Sequence, residues 1–304
     1  MTGVRLRHLS LSINSARRVV SMVTVNDYNG LKPAWCPGCG NFSILKAVNQ
    51  ALVGLKLEPY QVLFVSGIGQ AGKLPHYTRG NVFNSLHGRP VPPACGAKLS
   101  NRDLNVIAVS GDGDAYGEGG NHFLHAMRRN HDITYLVHDN QVYGLTKGQA
   151  SPTSDAGFIT KTTPQGAGFP FNPIGLAIIA GATFVARGYA GEINHLAELL
   201  KRGIQHKGFS LIDILQPCVS FNHVNTFQWY ADRVYKLEDS TYDSADKKQA
   251  VVKAQEWGDR IPIGVIYREQ KATFEELQPA LKSDLLVQQK IESINVSPLL
   301  AEFL

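Results

Sequence analysis

The fold is decided by residues 106–140, which read VIAVSGDGDAYGEGGNHFLHAMRRNHDITYLVHDN. This stretch begins with an apolar run typical of a buried strand and passes through a turn rich in glycine and aspartate. A helical pattern over 119–129 follows, and a second apolar run over 133–137 leads to Asn140. The order strand, helix, strand predicts a βαβ unit with two neighbouring parallel strands.

The same alternation extends in both directions from this unit. The other predicted strands are 62–65, 81–86, 184–188 and 210–215, and the other predicted helices are 43–55, 174–181 and 192–206. A long polar loop, 142–173, separates the two halves of the pattern. We therefore expect an α/β fold with an open, mostly parallel, doubly wound sheet over residues 26–225.

Both ends of the chain lie outside this alternation. Residues 226–304 contain a charged stretch, a possible strand over 261–267 and a terminal helix. We interpret them as a C-terminal appendage, an arm that packs on the domain or on a partner subunit. Residues 1–25 carry four arginines and no acidic residue. We interpret them as a basic extension outside the fold, either a transit-like leader or a consequence of translation that really begins at Met22.

The composition excludes several classes of protein. The 304 residues carry 30 Lys and Arg against 25 Asp and Glu, and 43% of them are hydrophobic, which excludes a disordered chain. No basic stripe interleaved with aromatic residues indicates nucleic acid binding. The longest apolar run, 174–182, has nine residues and is too short to span a bilayer. Four cysteines are too few for a secreted disulfide framework, which favours an intracellular, cytoplasmic protein.

Two of the strand ends carry residues suited to a metal–diphosphate site. Asp112 and Asp114 follow the first strand of the βαβ unit and Asn140 follows the second, so Asp112 and Asn140 would face each other at the sheet edge. Their oxygens suit Mg²⁺ or Ca²⁺, and the glycines of 111–120 would let a diphosphate approach the amino end of the helix. The alternative is an ordinary tight turn. The aspartates disfavour a nicotinamide dinucleotide site, which needs small residues there.

A C-x-x-C pair, Cys36 and Cys39, stands immediately before the helix predicted at 43–55, where the helix dipole would favour thiolates. The residues alone leave three interpretations open. A thioredoxin-like redox pair would need a preceding strand, and 28–35 does not have the pattern of one. A zinc site and an iron–sulfur cluster each need four ligands, and the chain has four cysteines.

A Gly-Asp-Gly sequence followed by Asn140, 28 residues after Asp112, resembles the thiamine diphosphate motif. Around that motif the chain resembles the β subunits of 2-oxoacid:ferredoxin oxidoreductases over about residues 28–225. The motifs that carry this resemblance are Trp35-Cys36-Pro37-Gly38-Cys39-Gly40, Ser66-Gly67-Ile68-Gly69, His87-Gly88-Arg89, Gly119-Gly120-Asn121-His122, Tyr143-Gly144-Leu145-Thr146-Lys147-Gly148-Gln149 and Gln216-Pro217-Cys218.

The resemblance implies a set of site residues. Mg²⁺ would be held by Asp112, Asn140 and the main-chain carbonyl of Val142. Contacts to thiamine diphosphate would come from the neighbouring loops, through Ile68, Gly69, Gln70, Ala71, His87, Gly88, Arg89, Gly113, Asp114, Gly144 and Leu145. Lys73 and His76 lie in the same predicted loops, and we expect them to act as catalytic residues that provide positive charge near an anionic substrate.

The resemblance also implies a 4Fe–4S cluster, with Cys36, Cys39 and Cys218 at three of its four ligand positions. The fourth position departs from the family pattern Gly-Ile-Gly-Cys, because this chain has Gln70 there. Three alternatives therefore stay open for the fourth ligand position: the cluster has only three cysteine ligands, Cys95 is the fourth ligand, or the fourth ligand is of an unusual type. We interpret Cys95 itself as a small buried residue at the start of a helix.

The function that the resemblance implies is the oxidative decarboxylation of a 2-oxoacid with coenzyme A, which gives acyl-CoA, CO₂ and reduced ferredoxin. Thiamine diphosphate carries the chemistry, the cluster passes electrons to ferredoxin, and the enzyme is completed by a larger α subunit. Two other functions stay open from the residues alone: a non-redox thiamine diphosphate-dependent decarboxylase subunit, and an iron–sulfur electron-transfer subunit without catalysis of its own.

Overall fold

The computed structural model describes residues 22–282, 284–289 and 295–303. Its main sheet is formed by β1 (Val62–Ser66), β2 (Asn81–Asn84), β3 (Asn105–Gly111), β4 (Thr134–Asp139), β7 (Phe184–Tyr189), β8 (Ser210–Leu215), β9 (Val234–Lys236) and β10 (Ile261–Arg268), and a separate hairpin by β5 (Val142–Tyr143) and β6 (Gln149–Ala150). The strand order in the main sheet is β2-β1-β3-β4-β8-β7-β10-β9.

Helices cover both faces of this sheet. They are α1 (Asn41–Gly54), α2 (Leu74–Tyr77), α3 (Val91–Ser100), α4 (Gly120–Arg129), α5 (Pro173–Ala180), α6 (Ile193–Gln205), α7 (Phe227–Ala231), α8 (Lys247–Lys253), α9 (Phe274–Leu277) and α10 (Ser297–Ala301). Alternate residues of a strand point to opposite faces. Accordingly Val106 and Ala108 of β3 belong to a core with α3, α4, α5 and α8, whereas Ile107 and Val109 belong to a core with α1 and α6.

The predicted α/β, doubly wound sheet is confirmed. Adjacent strands from β2 across to β7 pair in parallel, and strands β4, β7 and β8 are buried along their whole length. Such strands form continuous apolar runs because both faces are covered. This explains why their positions could be predicted from the sequence to within one or two residues.

The central βαβ unit has the predicted arrangement. β3 and β4 are parallel neighbours joined by α4, with Ile107 opposite Thr134 and Gly111 opposite His138. The carboxyl ends of the two strands therefore lie side by side. The turn that begins at Asp112 and the turn that contains Asn140 leave the sheet at the same edge.

The helical region after β3 begins earlier than predicted. A π-helical segment, Gly113–Glu118, precedes α4, whereas the sequence pattern places the helix start near Gly119. Glycines within this segment lower its helical propensity, so the sequence there does not show the apolar periodicity that is typical of a helix. As a result the amino end of the π-helical segment, rather than that of α4, lies at the carboxyl end of β3.

The C-terminal segment contributes to the sheet itself. β10 pairs antiparallel with β7, and β9 pairs parallel with β10. Ala250 of α8 is fully buried in the same core as α4 and α5. Residues 226–268 therefore continue the main sheet, whereas we interpreted them as an appendage that packs on the domain or on a partner subunit. The sequence did not indicate this because the alternation of strands and helices breaks down there.

The predicted N-terminal extension lies mostly outside the described residues, which begin at Met22. From there the chain joins the fold quickly, since the Tyr28 side chain is fully buried and donates a hydrogen bond to the carbonyl of Leu57 at 2.8 Å. Across the described ranges, no helix combines the length and the apolar character needed to cross a membrane.

Candidate active site at the carboxyl edge of the sheet

Asp112 is the first residue after β3 and is almost completely buried. Its Oδ2 accepts hydrogen bonds from Ser151 Oγ at 2.5 Å and from Thr153 Oγ1 at 2.8 Å. Burial raises the pKa of this carboxyl to about 6, and the two hydroxyl donors partly offset that increase. A divalent cation bound beside this carboxyl would stabilise its ionised form, with the proton released to solvent, and would offset the cost of burying the charge.

Asn140 stands at the end of β4, at the same edge as Asp112, and is only half-buried. Its Oδ1 accepts a hydrogen bond from the amide of Val142 at 3.1 Å, and its main-chain carbonyl accepts one from Asn222 Nδ2 at 3.3 Å. The turn is tight because Gln141 takes a left-handed conformation, with φ of 60°. These contacts fix the Asn140 side chain at the strand end, where its oxygen retains a second lone pair for a ligand.

Asp114 connects three loops of the site. Its Oδ1 accepts hydrogen bonds from the amides of Ile68 and Gly88, at 3.1 and 2.7 Å, and from His87 Nδ1 at 2.5 Å. Its Oδ2 accepts one from Ser110 Oγ at 2.5 Å. A Cβ on Gly67 would lie 1.7 Å from Asp114 Oδ2, so only glycine permits this approach. Both carboxylate oxygens are thus engaged within the protein, and the side chain positions the loops around the predicted cofactor.

We predict that Asp114→Ala lowers the free energy of unfolding by about 3 kcal/mol or more, because it leaves donors from two loops and from Ser110 of β3 without an acceptor. Asp114→Asn keeps one oxygen and is expected to lose less. Urea denaturation followed by circular dichroism measures both variants. The exposed Asp103→Ala is the control, and a midpoint for Asp114→Ala equal to that of the control would contradict this role.

Tyr143 packs closely on the π-helical segment after β3. A Cβ on Gly113 would lie 2.2 Å from Cε1 of Tyr143, and the Tyr143 hydroxyl lies 3.3 Å from both carboxylate oxygens of Glu118. The loop that contains Gly144 is thereby held against the segment Gly113–Glu118 that follows β3. Beyond it, Leu145 is about half-exposed at the edge of the site.

A matched pair of glycine substitutions tests this contact. Gly113→Ala should displace the Tyr143 ring, cost about 1–3 kcal/mol through overpacking and weaken binding of thiamine diphosphate. Gly120→Ala, where a Cβ would meet nothing within 4 Å, should do neither. Thermal unfolding and cofactor titration of the two variants are the measurements, and equal behaviour of the pair would contradict the close packing.

The other predicted loop residues divide into two groups. Lys73 lies in the 3₁₀ turn Ala71–Lys73, directly after the loop that follows β1, and Arg89 is exposed beside the loop bound by Asp114. His76 is placed elsewhere: it lines an open groove with Tyr60 and Asn81, residues next to the amino ends of β1 and β2. The structure therefore does not bring His76 to the carboxyl edge. The 14 residues between β1 and β2 carry the chain back across the sheet, which their sequence does not reveal.

Cys36, Cys39 and Cys218 belong to segments that pack together. The amide of Gly40 donates to the carbonyl of Pro217 at 3.3 Å, and Gln216 Nε2 donates to Cys39 Sγ at 3.5 Å. The Trp35 indole nitrogen donates to the carbonyl of Gln70 at 2.9 Å. The structure thus gathers the three predicted ligands and position 70 into one region, and all four cysteines of the chain are free thiols.

In the metal-free chain the Cys39 thiol does not have the expected thiolate character. Burial raises the pKa of its thiol to about 11, and the neighbouring Cys218 and Cys36 contribute in the same direction. Burial therefore outweighs the favourable end of α1. Among the residues that the structure describes, no group of three or more His, Cys, Asp or Glu side chains is arranged around a single ion position. No strand precedes Cys36 between 28 and 35, where the thioredoxin interpretation would need one.

Behind Asp112 lies a buried polar network that sequence reasoning missed. Thr153 Oγ1 is 2.8 Å from Asp112 Oδ2 and 2.7 Å from Asp139 Oδ1, and Tyr116 donates to Asp213 Oδ1 at 2.7 Å. Burial, with the charges of Asp213 and Asp112, raises the pKa of Asp139 well above its ordinary value. The network borders a cavity of about 310 Å³. The hydroxyl-rich run at 151–154 was its only signal in the sequence.

The fold and the site define a class of protein. Residues 67–214, from the turn after β1 into β8, match the family model of the thiamine pyrophosphate enzyme C-terminal TPP-binding domain. Residues 218–283 match the model of the C-terminal region of the pyruvate ferredoxin oxidoreductase β subunit. The chain is thus of the thiamine diphosphate-dependent oxidoreductase type.

Individual relatives narrow this class. The chain is 50% identical over 256 residues to 2-oxoacid:ferredoxin oxidoreductase subunit beta of Saccharolobus solfataricus, covering 80% of this chain and 84% of the relative. It is 49% identical over 257 residues to 2-oxoacid:ferredoxin oxidoreductase 1, subunit beta, of Aeropyrum pernix, covering 80% of each. The chain belongs to the family of 2-oxoacid:ferredoxin oxidoreductase β subunits.

A solved structure agrees with this assignment. The 2-oxoglutarate:ferredoxin oxidoreductase from Magnetococcus marinus, with 2-oxoglutarate, coenzyme A and succinyl-CoA bound, aligns with a TM-score of 0.84 at 32% identity. The alignment covers 92% of this chain and 96% of that chain. The family, fold and enzyme class expected from the sequence motifs are therefore confirmed.

Proposed function

We propose that this chain, with a larger α subunit, oxidatively decarboxylates a 2-oxoacid with coenzyme A and passes the electrons to ferredoxin. The products are acyl-CoA, CO₂ and reduced ferredoxin. The observation that carries the proposal is the placement of Asp112 and Asn140 at adjacent carboxyl ends of two paired parallel strands. Family membership supports the same conclusion, as does the related structure with a 2-oxoacid and coenzyme A bound.

Asp112, Asn140 and the carbonyl of Val142 would hold Mg²⁺, and the Mg²⁺ would hold the diphosphate of thiamine diphosphate. The donor set fits, because a carboxylate, an amide oxygen and a carbonyl are the hard oxygen ligands that Mg²⁺ prefers. The buried Asp112 carboxyl, with a pKa of about 6, fits as well, since a divalent cation would stabilise its ionised form. When bound, the cofactor supplies the electron sink for decarboxylation.

The protein residues of this edge would position the cofactor and exclude water. Ser151 and Thr153 orient the Asp112 carboxylate through their hydroxyl hydrogen bonds, and Asp114 fixes the loops that contain Ile68 and His87. Ile68 and Leu145 present apolar side chains at the edge. Lys73 and Arg89 provide the positive charge that an anionic substrate and a diphosphate require.

Cys36, Cys39 and Cys218 would bind the iron–sulfur cluster that receives the electrons. Two observations support this assignment. The three cysteines lie in one region of the structure, and two buried oxygen atoms in that region, Oε1 of Gln70 and Oε1 of Gln216, have no hydrogen-bond partner among the described residues. Soft thiolates are the ligands that hold the iron atoms of such a cluster.

The test uses the assembled α and β subunits, purified anaerobically. With a 2-oxoacid, coenzyme A, thiamine diphosphate and Mg²⁺, we expect one CO₂, one acyl-CoA and two electrons transferred to ferredoxin for each 2-oxoacid consumed. Release of CO₂ without ferredoxin reduction would favour the non-redox decarboxylase instead. Iron without dependence on thiamine diphosphate would favour an electron-transfer subunit.

The proposed setting of the enzyme is the cytoplasm, where ferredoxin and coenzyme A would be its partners. The four free thiols support this, because reducing compartments keep cysteines unpaired. That the basic N-terminal extension lies outside the fold stays a prediction for residues 1–21, which are outside the described residues, whereas Val23 packs against the core that contains Tyr28.

A further inference from the structure

We propose, resting on the cluster assignment above, that the iron–sulfur cluster of this chain is held by only three thiolates, so that the iron corner at position 70 is exchangeable. The chain contains four cysteines in total. Three of them lie in the region formed by residues 35–40, Gln70 and residues 216–218. The question is therefore whether the fourth, Cys95, can reach that region.

Cys95 lies on the other side of the sheet. It stands in α3 and packs with the core that contains Val106 and Phe123, whereas Cys39 packs with the core that contains Ile107 and α1. Its surroundings are a groove formed with His125 and Phe274. Because the strands of the sheet separate the two cores, Cys95 cannot supply a fourth thiolate without unfolding of α3.

Position 70 is where the missing ligand would stand. Its main-chain carbonyl accepts the hydrogen bond from Trp35, the residue before Cys36. Its side chain passes beside Gly144, with Cγ 3.9 Å from the place that a Cβ of Gly144 would take. Gln70 thus lies between the cysteine region and the carboxyl edge of the sheet. Its Oε1 atom is buried and has no hydrogen-bond partner among the described residues.

A glutamine oxygen is a poor substitute for a thiolate at iron. It is neutral and hard, whereas the iron atoms of a cluster are held by soft sulfur ligands. The iron at this corner would therefore be bound less tightly than the other three. A one-electron oxidant should release it: [4Fe–4S]²⁺ gives [3Fe–4S]⁺, one Fe²⁺ and one electron, and the oxidant takes up the electron.

The experiment compares the anaerobically reconstituted αβ complex with its Gln70→Cys variant. Each is treated with one equivalent of ferricyanide per cluster, and released Fe²⁺ is measured with a chelator while the cluster is followed by electron paramagnetic resonance. We expect the unmodified protein to release one iron per cluster and to give the signal of a three-iron cluster. Gln70→Cys should release at least tenfold less iron, because a thiolate closes the corner.

Two cysteine variants serve as controls. Cys95→Ser should behave like the unmodified protein, and Cys36→Ser should lose the whole cluster. Retention of all four irons by the unmodified protein, or loss of iron in Cys95→Ser equal to that in Cys36→Ser, would overturn the three-thiolate proposal alone. Absence of iron from both the unmodified protein and Gln70→Cys would overturn the cluster assignment and this proposal with it.

Discussion

Replacement of Asp112 by alanine is expected to abolish Mg²⁺-dependent binding of thiamine diphosphate to the assembled enzyme. Asp112 would supply the only carboxylate of the three proposed Mg²⁺ ligands, and loss of a group that merely supports a ligand already costs about 10–100-fold in metal affinity. We therefore expect the affinity to fall by more than about 100-fold. Titration of the apoenzyme with thiamine diphosphate at fixed Mg²⁺, followed by calorimetry, measures it.

Asp112→Ala also removes the acceptor of the Ser151 and Thr153 hydroxyls, so a second variant must separate binding from folding. Asp112→Asn keeps an oxygen for these donors and loses the charge, and it should fold normally while binding as poorly as Asp112→Ala. Asp246→Asn, at the exposed start of α8, is the control that should bind like the unmodified protein. Unchanged affinity in Asp112→Asn would refute the metal assignment.

The same carboxyl predicts a pH dependence of cofactor binding. Its pKa in the metal-free chain is raised to about 6 by burial, and Mg²⁺ binds the ionised form. The apparent affinity for Mg²⁺ and thiamine diphosphate should therefore be constant above pH 7 and fall about tenfold per pH unit below pH 5. Titration of the apoenzyme across this pH range measures the dependence, and an affinity that stays constant from pH 7 down to pH 5 would contradict it.

The part of the site that could be predicted is the part that depends on strand order. Asp112 and Asn140 follow two apolar runs joined by one helix, and right-handed βαβ connections make such strands neighbours with a common carboxyl edge. The placement of both residues therefore needed no long-range contact. The same reasoning predicted the doubly wound sheet, because buried parallel strands are visible as apolar runs.

The features of the site that the sequence did not indicate are those whose contacts come from distant segments. The role of Asp114 at the diphosphate stays a prediction, but its donors lie 26 and 46 residues away, in the loops of Gly88 and Ile68, and were not foreseen. His76 shares a predicted loop with Lys73, but α2 carries it toward the amino ends of the strands. Neither the contacts of Asp114 nor the placement of His76 produces a periodic pattern in the local sequence. The buried Thr153–Asp139 contact is hidden for the same reason, inside an irregular loop.

The raised pKa of Cys39 shows the limit of local electrostatic reasoning. A cysteine before a helix is expected to ionise readily. Here Gln216 and its neighbours cover the thiol, and the desolvation penalty is larger than the stabilisation by the helix end. Which effect is larger depends on how deeply residues 216–218 bury residues 36–40, and that follows from tertiary packing alone.

The isolated chain is expected to have no oxidative decarboxylase activity. The described motifs account for the diphosphate and metal end of thiamine diphosphate, and we interpret no second α/β unit in the sequence that would bind its pyrimidine ring. Apolar side chains are exposed around the carboxyl edge, among them Phe83, Leu86 and Leu145, and Phe169 in the long loop is fully exposed. Exposed apolar residues that surround a polar site are typical of a surface buried on assembly.

The test is to purify this chain alone and together with a larger partner subunit, and to assay both with thiamine diphosphate, Mg²⁺, 2-oxoacid, coenzyme A and an artificial electron acceptor. We expect turnover only in the complex, with at least a thousandfold difference, because an open cofactor would be neither held at both ends nor shielded from water. Leu86→Asp should weaken assembly through a buried charge while leaving the stability of the isolated chain unchanged, since Leu86 is 64% exposed there. Comparable turnover by the chain alone would mean that the 142–173 loop closes over its own site, and that no partner is needed to complete it.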